Sequence, residues 1–224
     1  MSDSCDSALK VRPTGRPINE PLRIGVLISG SGTNLQALID CIAAKKLNAE
    51  IEMVISSNEK AAGLKRAAQV GIPTLALSPD LYNTDPEAAD EVIAHQLMKL
   101  DVEYIIMAGY MRKVGPALLR LFKDRIVNIH PALLPSFQGA HGILDAFNRG
   151  VKVTGVTVHF ANAIYDQGPI IAQEVVPIEE GMDIDTLESR IHDVEHVLYP
   201  RVVQMLADGR VHVREDLTVS IDPA

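Results

Sequence analysis

The sequence predicts an α/β fold in which a mostly parallel sheet carries helices on both faces and has an antiparallel edge. Short apolar runs alternate with segments of helical periodicity up to about residue 130, which is the rhythm of consecutive βαβ units. Most of these runs are apolar throughout, as strands are when a parallel sheet is covered on both faces. Beyond residue 150 the pattern changes to alternating polar and apolar residues, which indicates antiparallel strands.

Strands and helices are expected to alternate through the first part of the chain. The strands are expected at residues 23–29, 50–56, 74–77, 103–107 and 125–129. The helices between them are expected at residues 35–44, 61–70, 87–100 and 116–122. Gly71 and Pro73 end the second of these helices, and Pro116 stands at a favourable first helical position.

The second part of the chain is expected to form a hairpin and one long helix. Residues 153–160 alternate polar and apolar side chains, and residues 170–176 follow after a glycine turn. These two segments are therefore expected to pair antiparallel at one side of the sheet. The long helix is expected at residues 184–206, with Asp183 or Asp185 near its start.

Length and composition favour one large domain. The chain has 224 residues, and its hydrophobic fraction of 47% is ample for a core. The charged fraction of 22% is ordinary for a globular protein. Residues 1–21 are polar and rich in proline, so they are expected to form a flexible N-terminal tail. The domain is expected at residues 22–213, followed by a C-terminal tail at residues 214–224.

Charge and patterning exclude several classes of partner. The formal net charge is -8 and the pI is about 5.3, which speaks against a nucleic-acid partner. There is no apolar stretch of membrane-spanning length and no apolar region of a signal peptide, so the cytoplasm is the expected location. Cys5 and Cys41 lack metal-ligand spacing, so no metal is expected. The expected partners are small-molecule substrates, and the expected state is a monomer or homodimer.

A glycine-rich turn, SGSGTN at residues 29–34, joins the first strand to the first helix. Glycines let the backbone present several N–H groups, and a helix N-terminus adds partial positive charge, so the turn suits a phosphate group. It is not a dinucleotide fingerprint, because Leu35 stands where the third glycine belongs and no acidic residue ends the second strand. The alternative interpretation is a tight turn capped by Thr33 or Asn34, without a ligand.

An amide and an imidazole lie at the carboxyl end of the strand expected at residues 125–129. Asn128 and His130 are two residues apart and therefore point to the same face. At the carboxyl end of an open α/β sheet, an amide can donate to an oxyanion and an imidazole can transfer a proton. Asp166 is expected to reach back from a turn and orient His130, whereas His159 is interpreted as structural, with a place in the lining of the site. The alternative for the pair is a structural histidine and an ordinary turn residue.

Five segments together resemble the folate-dependent phosphoribosylglycinamide formyltransferases of purine synthesis. They are IGVLISGSGTNLQALID (24–40), AGYMRKVGP (108–116), NIHPALLPSFQGAH (128–141), TVHFANAIYDQGPIIAQ (157–173) and EHVLYPRVV (195–203). The resemblance extends over about residues 23–211, nearly everything after the N-terminal tail. It implies the Rossmann-like formyltransferase fold, which agrees with the fold class that the pattern predicts.

The resemblance also implies roles for particular residues. Those that match the catalytic trio are Asn128, His130 and Asp166. Those that match the binding site for phosphoribosylglycinamide are Gly32, Thr33, Asn34, His192 and Glu195. Those that match the folate site are Met111, Arg112, Lys113, Val114, Asn128, Asn162, Ala163, Ile164, Tyr165 and Asp166.

The implied reaction transfers the formyl group of 10-formyltetrahydrofolate, a co-substrate, to the amine of 5-phosphoribosylglycinamide during synthesis of IMP. The amine is expected to attack the formyl carbon directly, through a tetrahedral intermediate. Two residues depart from the family pattern. Pro86 stands where many members have an arginine that contacts the folate tail, and His192 stands where members have glutamine or lysine.

Three other functions share parts of this pattern. A formyltetrahydrofolate deformylase has the Asn-x-His strand, but it usually carries a second histidine where this chain has Pro131, and it has an N-terminal regulatory domain. A methionyl-tRNA formyltransferase is longer and lacks the glycine-rich turn. A non-catalytic regulator that binds a phosphorylated metabolite would use the glycine-rich turn but would leave Asn128, His130 and Asp166 without a role.

Overall fold

The computed structural model describes residues 11–223, which fold around a seven-stranded sheet. The strands are β1 (Leu22–Ile28), β2 (Ala49–Ser56), β3 (Thr74–Ala76), β4 (Tyr104–Met107), β5 (Ile126–His130), β6 (Val153–Phe160), β7 (Ile170–Pro177), β8 (Val211–Val213) and β9 (Val219–Ile221). The helices are α1 (Thr33–Ala43), α2 (Ala62–Gln69), α3 (Pro79–Thr84), α4 (Pro86–Lys99), α5 (Pro116–Leu121), α6 (Gly142–Arg149) and α7 (Ile184–Ala207).

The sheet is parallel on one side and antiparallel on the other. Its strand order is β3-β2-β1-β4-β5-β6-β7. Strands β1 to β5 run parallel, whereas β6 runs antiparallel to β5 and β7 antiparallel to β6. The predicted fold class, with its antiparallel edge, is therefore confirmed. The remaining two strands, β8 and β9, form a separate small hairpin.

Helices cover both faces of the sheet because the central strands are apolar on both faces. Val26 on β1 belongs to a core that is shared with Leu38 of α1 and Val202 of α7. Its neighbour Leu27 points the other way, into a second core with Ile93 of α4. Successive strand residues face opposite sides, so each apolar strand contributes to both cores. The result is a three-layer arrangement with the sheet in the middle.

The strand order reverses between β1 and β4, which are neighbours in the sheet although far apart in the chain. From β1 the chain winds toward β2 and β3, and from β4 it winds the other way toward β5. The loops that follow β1 and β4 therefore diverge. Such a switch point leaves a crevice at the carboxyl ends of the strands, where ligands of this type of sheet bind.

Several elements were not predicted from the sequence. Helix α3 has six residues, begins at the Ser78 cap and is too short to show a periodic pattern. Helix α6 follows directly after the loop at residues 131–141 and was not expected. The hairpin of β8 and β9 extends regular structure to Ile221, beyond the predicted domain end at residue 213, so residues 214–221 are not a simple tail. Among the described residues, no helix combines the length and apolar composition needed to cross a bilayer.

Residues 11–21, which the sequence predicts to be part of a flexible tail, lie instead against the domain. Arg12 is only 1% exposed, and its guanidinium contacts the Glu103 carboxylate through Nε at 2.9 Å and Nη2 at 3.1 Å. Its Nη1 also donates to the carbonyl oxygen of Ala207. A buried bidentate ion pair anchors this segment, and sequence patterns do not show such long-range pairs. The first ten residues of the predicted tail lie outside the described residues.

Candidate active site

The glycine-rich loop after β1 packs closely against α2. Gly32 is the N-cap of α1 and has a φ of 71°, and a Cβ at this position would lie 2.6 Å from the Cα of Gly63. No side chain caps α1, so its first backbone N–H groups remain available to a ligand. The predicted cap by Thr33 or Asn34 is therefore wrong, because Gly32 stands at the N-cap position. The loop has the geometry of an anion site at a helix N-terminus.

A cavity of about 520 Å³ opens beside this loop. Its walls include all five residues predicted to bind the phosphorylated substrate: Gly32, Thr33, Asn34, His192 and Glu195. The buried Glu195 carboxylate accepts from Asn34 Nδ2 at 2.9 Å, and the same oxygen lies 3.0 Å from His192 Nδ1. This hydrogen bond raises the pKa of His192. Asn34 Oδ1 is buried without a hydrogen-bond partner among residues 11–223.

The three predicted catalytic residues lie close together, and His159 lies among them. Asn128 Nδ2 is 3.2 Å from His159 Nε2. Asp166 lies between the two imidazoles, with one carboxylate oxygen 3.4 Å from His130 Nδ1 and the other 3.8 Å from His159 Nε2. The turn that carries Asp166 thus reaches back to the end of β5, as the sequence predicts.

His159 orients the amide of Asn128. The two residues lie opposite each other in the antiparallel ladder between β5 and β6. His159 Nδ1 donates to the carbonyl oxygen of Phe160 at 2.8 Å, so Nε2 is left as an acceptor for one N–H of Asn128. Burial lowers the pKa of His159, which favours this neutral form. The second N–H of Asn128 is left for a ligand.

The loop between β5 and α6 closes over His130. The carbonyl oxygen of Phe137 lies 2.9 Å from His130 Nε2, and Gly139 N–H donates to the Asp166 carboxylate at 2.9 Å. Because Asp166 faces Nδ1, both ring nitrogens of His130 face oxygen acceptors. The loop therefore holds the imidazole in place. The Nε2 proton can reach a ligand only when the Phe137 carbonyl moves aside.

The turn that carries Asp166 has a fixed shape. Asp166 has a φ of 55°, in the left-handed region that aspartate tolerates better than most residues. Asn162 Oδ1 accepts from Ile164 N–H at 2.9 Å, and Asn162 Nδ2 donates to the carbonyl oxygen of Gln167 at 3.1 Å. Gly168 follows at a point where a Cβ would lie 1.7 Å from the Phe160 carbonyl oxygen, so only glycine fits.

A second cavity, of about 30 Å³, lies between residues 111–114 and residues 162–166. Its lining residues are Met107, Arg112, Lys113, Val114, Asn128, His159, Ala161, Asn162, Ile164, Tyr165 and Asp166. Two predicted folate residues are placed differently. Met111 lines the larger cavity, and Ala163 is exposed on the turn. Since the smaller cavity has room for only one or two waters, the two segments must separate to admit a larger ligand.

Three contacts anchor the loop at residues 109–115 to the unpredicted helix α3 and to α4. Tyr82 of α3 has its hydroxyl 2.7 Å from that of Tyr110, and the Arg112 guanidinium lies 5.1 Å from the centre of the Tyr82 ring. Gly115 N–H donates to the buried carboxylate of Asp90 on α4 at 2.5 Å. Burial raises the pKa of Asp90 to about 6, because the charged form is poorly solvated there.

Replacement of Asp90 by asparagine is expected to stabilise the protein above pH 6. The folded-state pKa of Asp90 is raised, so ionisation costs stability as pH rises from about 4 to about 6 and the cost is complete above that range. The shift corresponds to at most roughly 3 kcal/mol. Urea unfolding of both proteins at pH 5 and pH 8 checks this. An Asp90→Asn effect that is the same at both pH values would contradict it.

Some residues of the site were not predicted. His159 was interpreted as structural with a place in the lining of the site, but its hydrogen bond to Asn128 was not predicted. The Phe137 carbonyl and Gly139 N–H contact the imidazole and the carboxylate through backbone atoms, which residue identity does not reveal. Only the register of β5 against β6 would have pointed to His159, since it places that residue opposite Asn128.

The described residues contain no group of three or more histidine, cysteine, aspartate or glutamate side chains placed to hold a metal ion. The acidic and imidazole groups of the site instead hydrogen-bond to one another and to backbone atoms.

Comparisons with known proteins agree with this architecture. Residues 22–203 match the formyl transferase family. Phosphoribosylglycinamide formyltransferase of Bacillus subtilis is 38% identical over 82% of this chain and 94% of its own length. The trifunctional purine biosynthetic protein adenosine-3 of Chironomus tentans is 41% identical over 86% of this chain, which spans only 14% of that protein. The structure of glycinamide ribonucleotide transformylase 1 from Symbiobacterium toebii superposes with a TM-score of 0.86 at 42% identity, covering 90% of this chain and 94% of that one.

Three features together define the class of protein. They are the crevice where the strand order reverses, the glycine-rich loop after β1 and the matched sequence. The chain belongs to the formyl transferase family. Within that family it groups with the phosphoribosylglycinamide formyltransferases, whose single-domain members it matches over nearly their whole length.

Proposed function

We propose that the protein transfers a formyl group from 10-formyltetrahydrofolate to the amine of phosphoribosylglycinamide. The observation that carries the proposal is the meeting of two features at one crevice. An anion-binding loop after β1 lines a cavity large enough for a phosphorylated metabolite. At the carboxyl end of β5, two strands away in the same sheet, the Asn128 amide and the His130 imidazole lie beside the Asp166 carboxylate. Relatives that carry the name of this activity support the choice of substrates.

The phosphorylated substrate is proposed to lie in the larger cavity. Its phosphate would accept from the first N–H groups of α1 at Gly32, Thr33 and Asn34, where the helix dipole favours an anion. The Glu195 carboxylate offers an acceptor for its hydroxyl or amide donors. His192 is exposed at the rim and adds a cationic group when protonated.

The folate is proposed to enter the smaller cavity between residues 111–114 and 162–166. Apolar side chains such as Val114 and Ile164 suit a flat heteroaromatic ring, and the polar atoms of Asn128 and Asn162 suit the ring's donors and acceptors. The fit requires the two segments to separate. Pro86 carries no charge, so Arg112 is proposed to supply the cation for the tail carboxylates. Its side chain is half-buried against the Tyr82 ring and still partly open to solvent.

The chemistry then follows from the placement of the side chains. The substrate amine forms a bond to the formyl carbon, the bond from that carbon to the folate nitrogen breaks, and one proton passes from the amine to that nitrogen. Asn128 and a doubly protonated His130 would donate to the oxygen that becomes negative in the tetrahedral intermediate. Asp166 would stabilise the charge on the imidazole, as an adjacent carboxylate does.

Formyl transfer itself is the direct test. The purified chain is mixed with 10-formyltetrahydrofolate and glycinamide ribonucleotide, and release of tetrahydrofolate is followed with and without the acceptor. Turnover that requires the acceptor supports the transferase. Turnover without the acceptor would indicate a deformylase, and ligand binding without turnover would indicate a regulator.

Binding of the phosphorylated substrate is expected to weaken as pH rises above 7, and His192 is expected to cause the change. The Glu195 hydrogen bond raises the pKa of His192, so its positive charge is present below that pKa and is lost as pH rises through it. Above pH 7 the substrate phosphate is already a dianion, so its own titration does not contribute. We expect an affinity loss of about three- to tenfold, the value of one charge-assisted contact.

Calorimetric titration with glycinamide ribonucleotide between pH 7 and pH 9 measures this loss, with His192→Gln as the matched variant. Glutamine keeps a donor at this position but does not titrate. A variant whose affinity falls with pH as steeply as that of the native protein would rule out His192 as the source.

A further inference from the structure

We propose that Ser29 is a positioning residue that couples the two substrate-binding loops. Its side chain holds the loop after β4 against the loop after β1, so that occupancy of one cavity stabilises the arrangement needed by the other. The proposal rests on the proposed function, because it concerns the same two ligands.

Ser29 makes hydrogen bonds in both directions with the loop after β4. Its backbone N–H donates to the carbonyl oxygen of Gly109 at 3.0 Å, and its Oγ accepts from Met111 N–H at 2.8 Å. The first bond continues the pairing of β1 with β4, since Ala108 N–H donates to Leu27 just before it. The second bond has no equivalent in a regular ladder. It extends the contact between two loops that would otherwise diverge.

The Ser29 hydroxyl also contacts the segment after β2. Ser57, which directly follows β2, has its Oγ 2.6 Å from Ser29 Oγ, and either hydroxyl can donate in this bond. Ser57 is itself held in place, because its backbone N–H donates to the Ile28 carbonyl oxygen. The carbonyl oxygen of Ser29 also accepts from the Asn58 side chain at 3.3 Å. Three strand ends therefore meet at this one residue.

The position of Ser29 explains why this contact matters for two ligands. Ser29 directly precedes the anion loop at residues 30–34, which lines the larger cavity. Met111 lines the same cavity and is followed by residues 112–114, which line the smaller one. The hydrogen bond at Met111 N–H thus fixes the start of the segment that has to move when the smaller cavity opens. Order imposed on one loop by its ligand is transmitted to the other through this bond.

The test measures coupling rather than stability. Glycinamide ribonucleotide is titrated into the full chain by calorimetry, alone and with saturating tetrahydrofolate, a pair that cannot react. By linkage, the ratio of the two dissociation constants is the coupling factor. We expect the ribonucleotide to bind about two- to tenfold more tightly in the presence of tetrahydrofolate, the amount that one net hydrogen bond supplies. In Ser29→Ala the ratio is expected to fall to about one.

Two matched variants separate coupling from general damage. Ser57→Ala removes the neighbouring hydroxyl but leaves Ser29 Oγ as the acceptor for Met111, so its ratio should stay within about twofold of the native ratio. Ser29→Thr keeps the hydroxyl that Ser29→Ala removes, so it should keep the coupling. A native ratio of one, or a ratio that survives in Ser29→Ala, would overturn the coupling proposal while leaving the proposed function intact. Failure of the native protein to bind either ligand would overturn both.

Discussion

Replacement of His130 by alanine is expected to lower the turnover number for formyl transfer by about 100- to 1000-fold, the usual cost of losing one donor to a developing oxyanion. The imidazole lies between Asp166 and the Phe137 carbonyl and is almost fully buried, so no water-exposed side chain can take its place. The Michaelis constants should change little, because the lost interaction forms only as charge develops on the formyl oxygen. Steady-state release of tetrahydrofolate measures the effect.

His95→Ala provides the control for this experiment, since His95 is an exposed histidine on α4 that contributes to neither cavity. Its turnover number should match that of the native protein. A His130→Ala protein that retained more than about a tenth of native turnover would show that the imidazole does not stabilise the transition state.

Replacement of Gly32 by alanine is expected to raise the Michaelis constant for the phosphorylated substrate at least about tenfold. An alanine in the left-handed region costs about 1–2 kcal/mol. The new Cβ would also lie 2.6 Å from the backbone of Gly63, so the anion loop must move away from α2. Displaced N–H groups weaken phosphate binding in the ground state and the transition state alike, so the turnover number at saturation should change less.

Gly71→Ala separates backbone strain from loss of the binding site. Gly71 has a φ of 78°, similar to that of Gly32, but its added Cβ would meet no atom within 4 Å. This variant should lose a comparable amount of stability in thermal unfolding without a change in the Michaelis constant. If Gly32→Ala bound the phosphorylated substrate as well as Gly71→Ala did, the anion loop would not be the phosphate site.

The parts of the fold that were predicted correctly are those that depend on local pattern. The strand period is two, so the placement of Asn128 and His130 on one face of β5 followed from their spacing. Asp183 or Asp185 was placed near the start of the long helix and Pro116 at the start of its helix; Asp183 is the observed N-cap and Pro116 the first helical residue. Helix α3 was missed because six residues show less than two helical turns, too few to establish a period.

The parts that were not predicted depend on contacts between distant segments. The pairing of Asn128 with His159 needs the register of β5 against β6, which side-chain alternation leaves open by steps of two residues. The backbone contacts at Gly139 and Phe137 depend on the path of a loop. The burial of Arg12 depends on a carboxylate far along the chain, so a segment with tail-like composition is part of the folded unit.

The ion pair between Arg12 and Glu103 makes residues 11–21 part of the folded unit. A chain trimmed to residue 22, where the family match begins, would keep the Glu103 carboxylate but lose Arg12 and the Thr14 hydroxyl, both of which bind it. Only the Arg23 backbone N–H, at 3.1 Å, would remain near it. Trimming would also open Glu103 to water, so the loss would be that of a buried bidentate ion pair and its packing rather than of a stranded charge. A shortened chain prepared for experiments should therefore begin before Arg12, ahead of the residue where the family match begins.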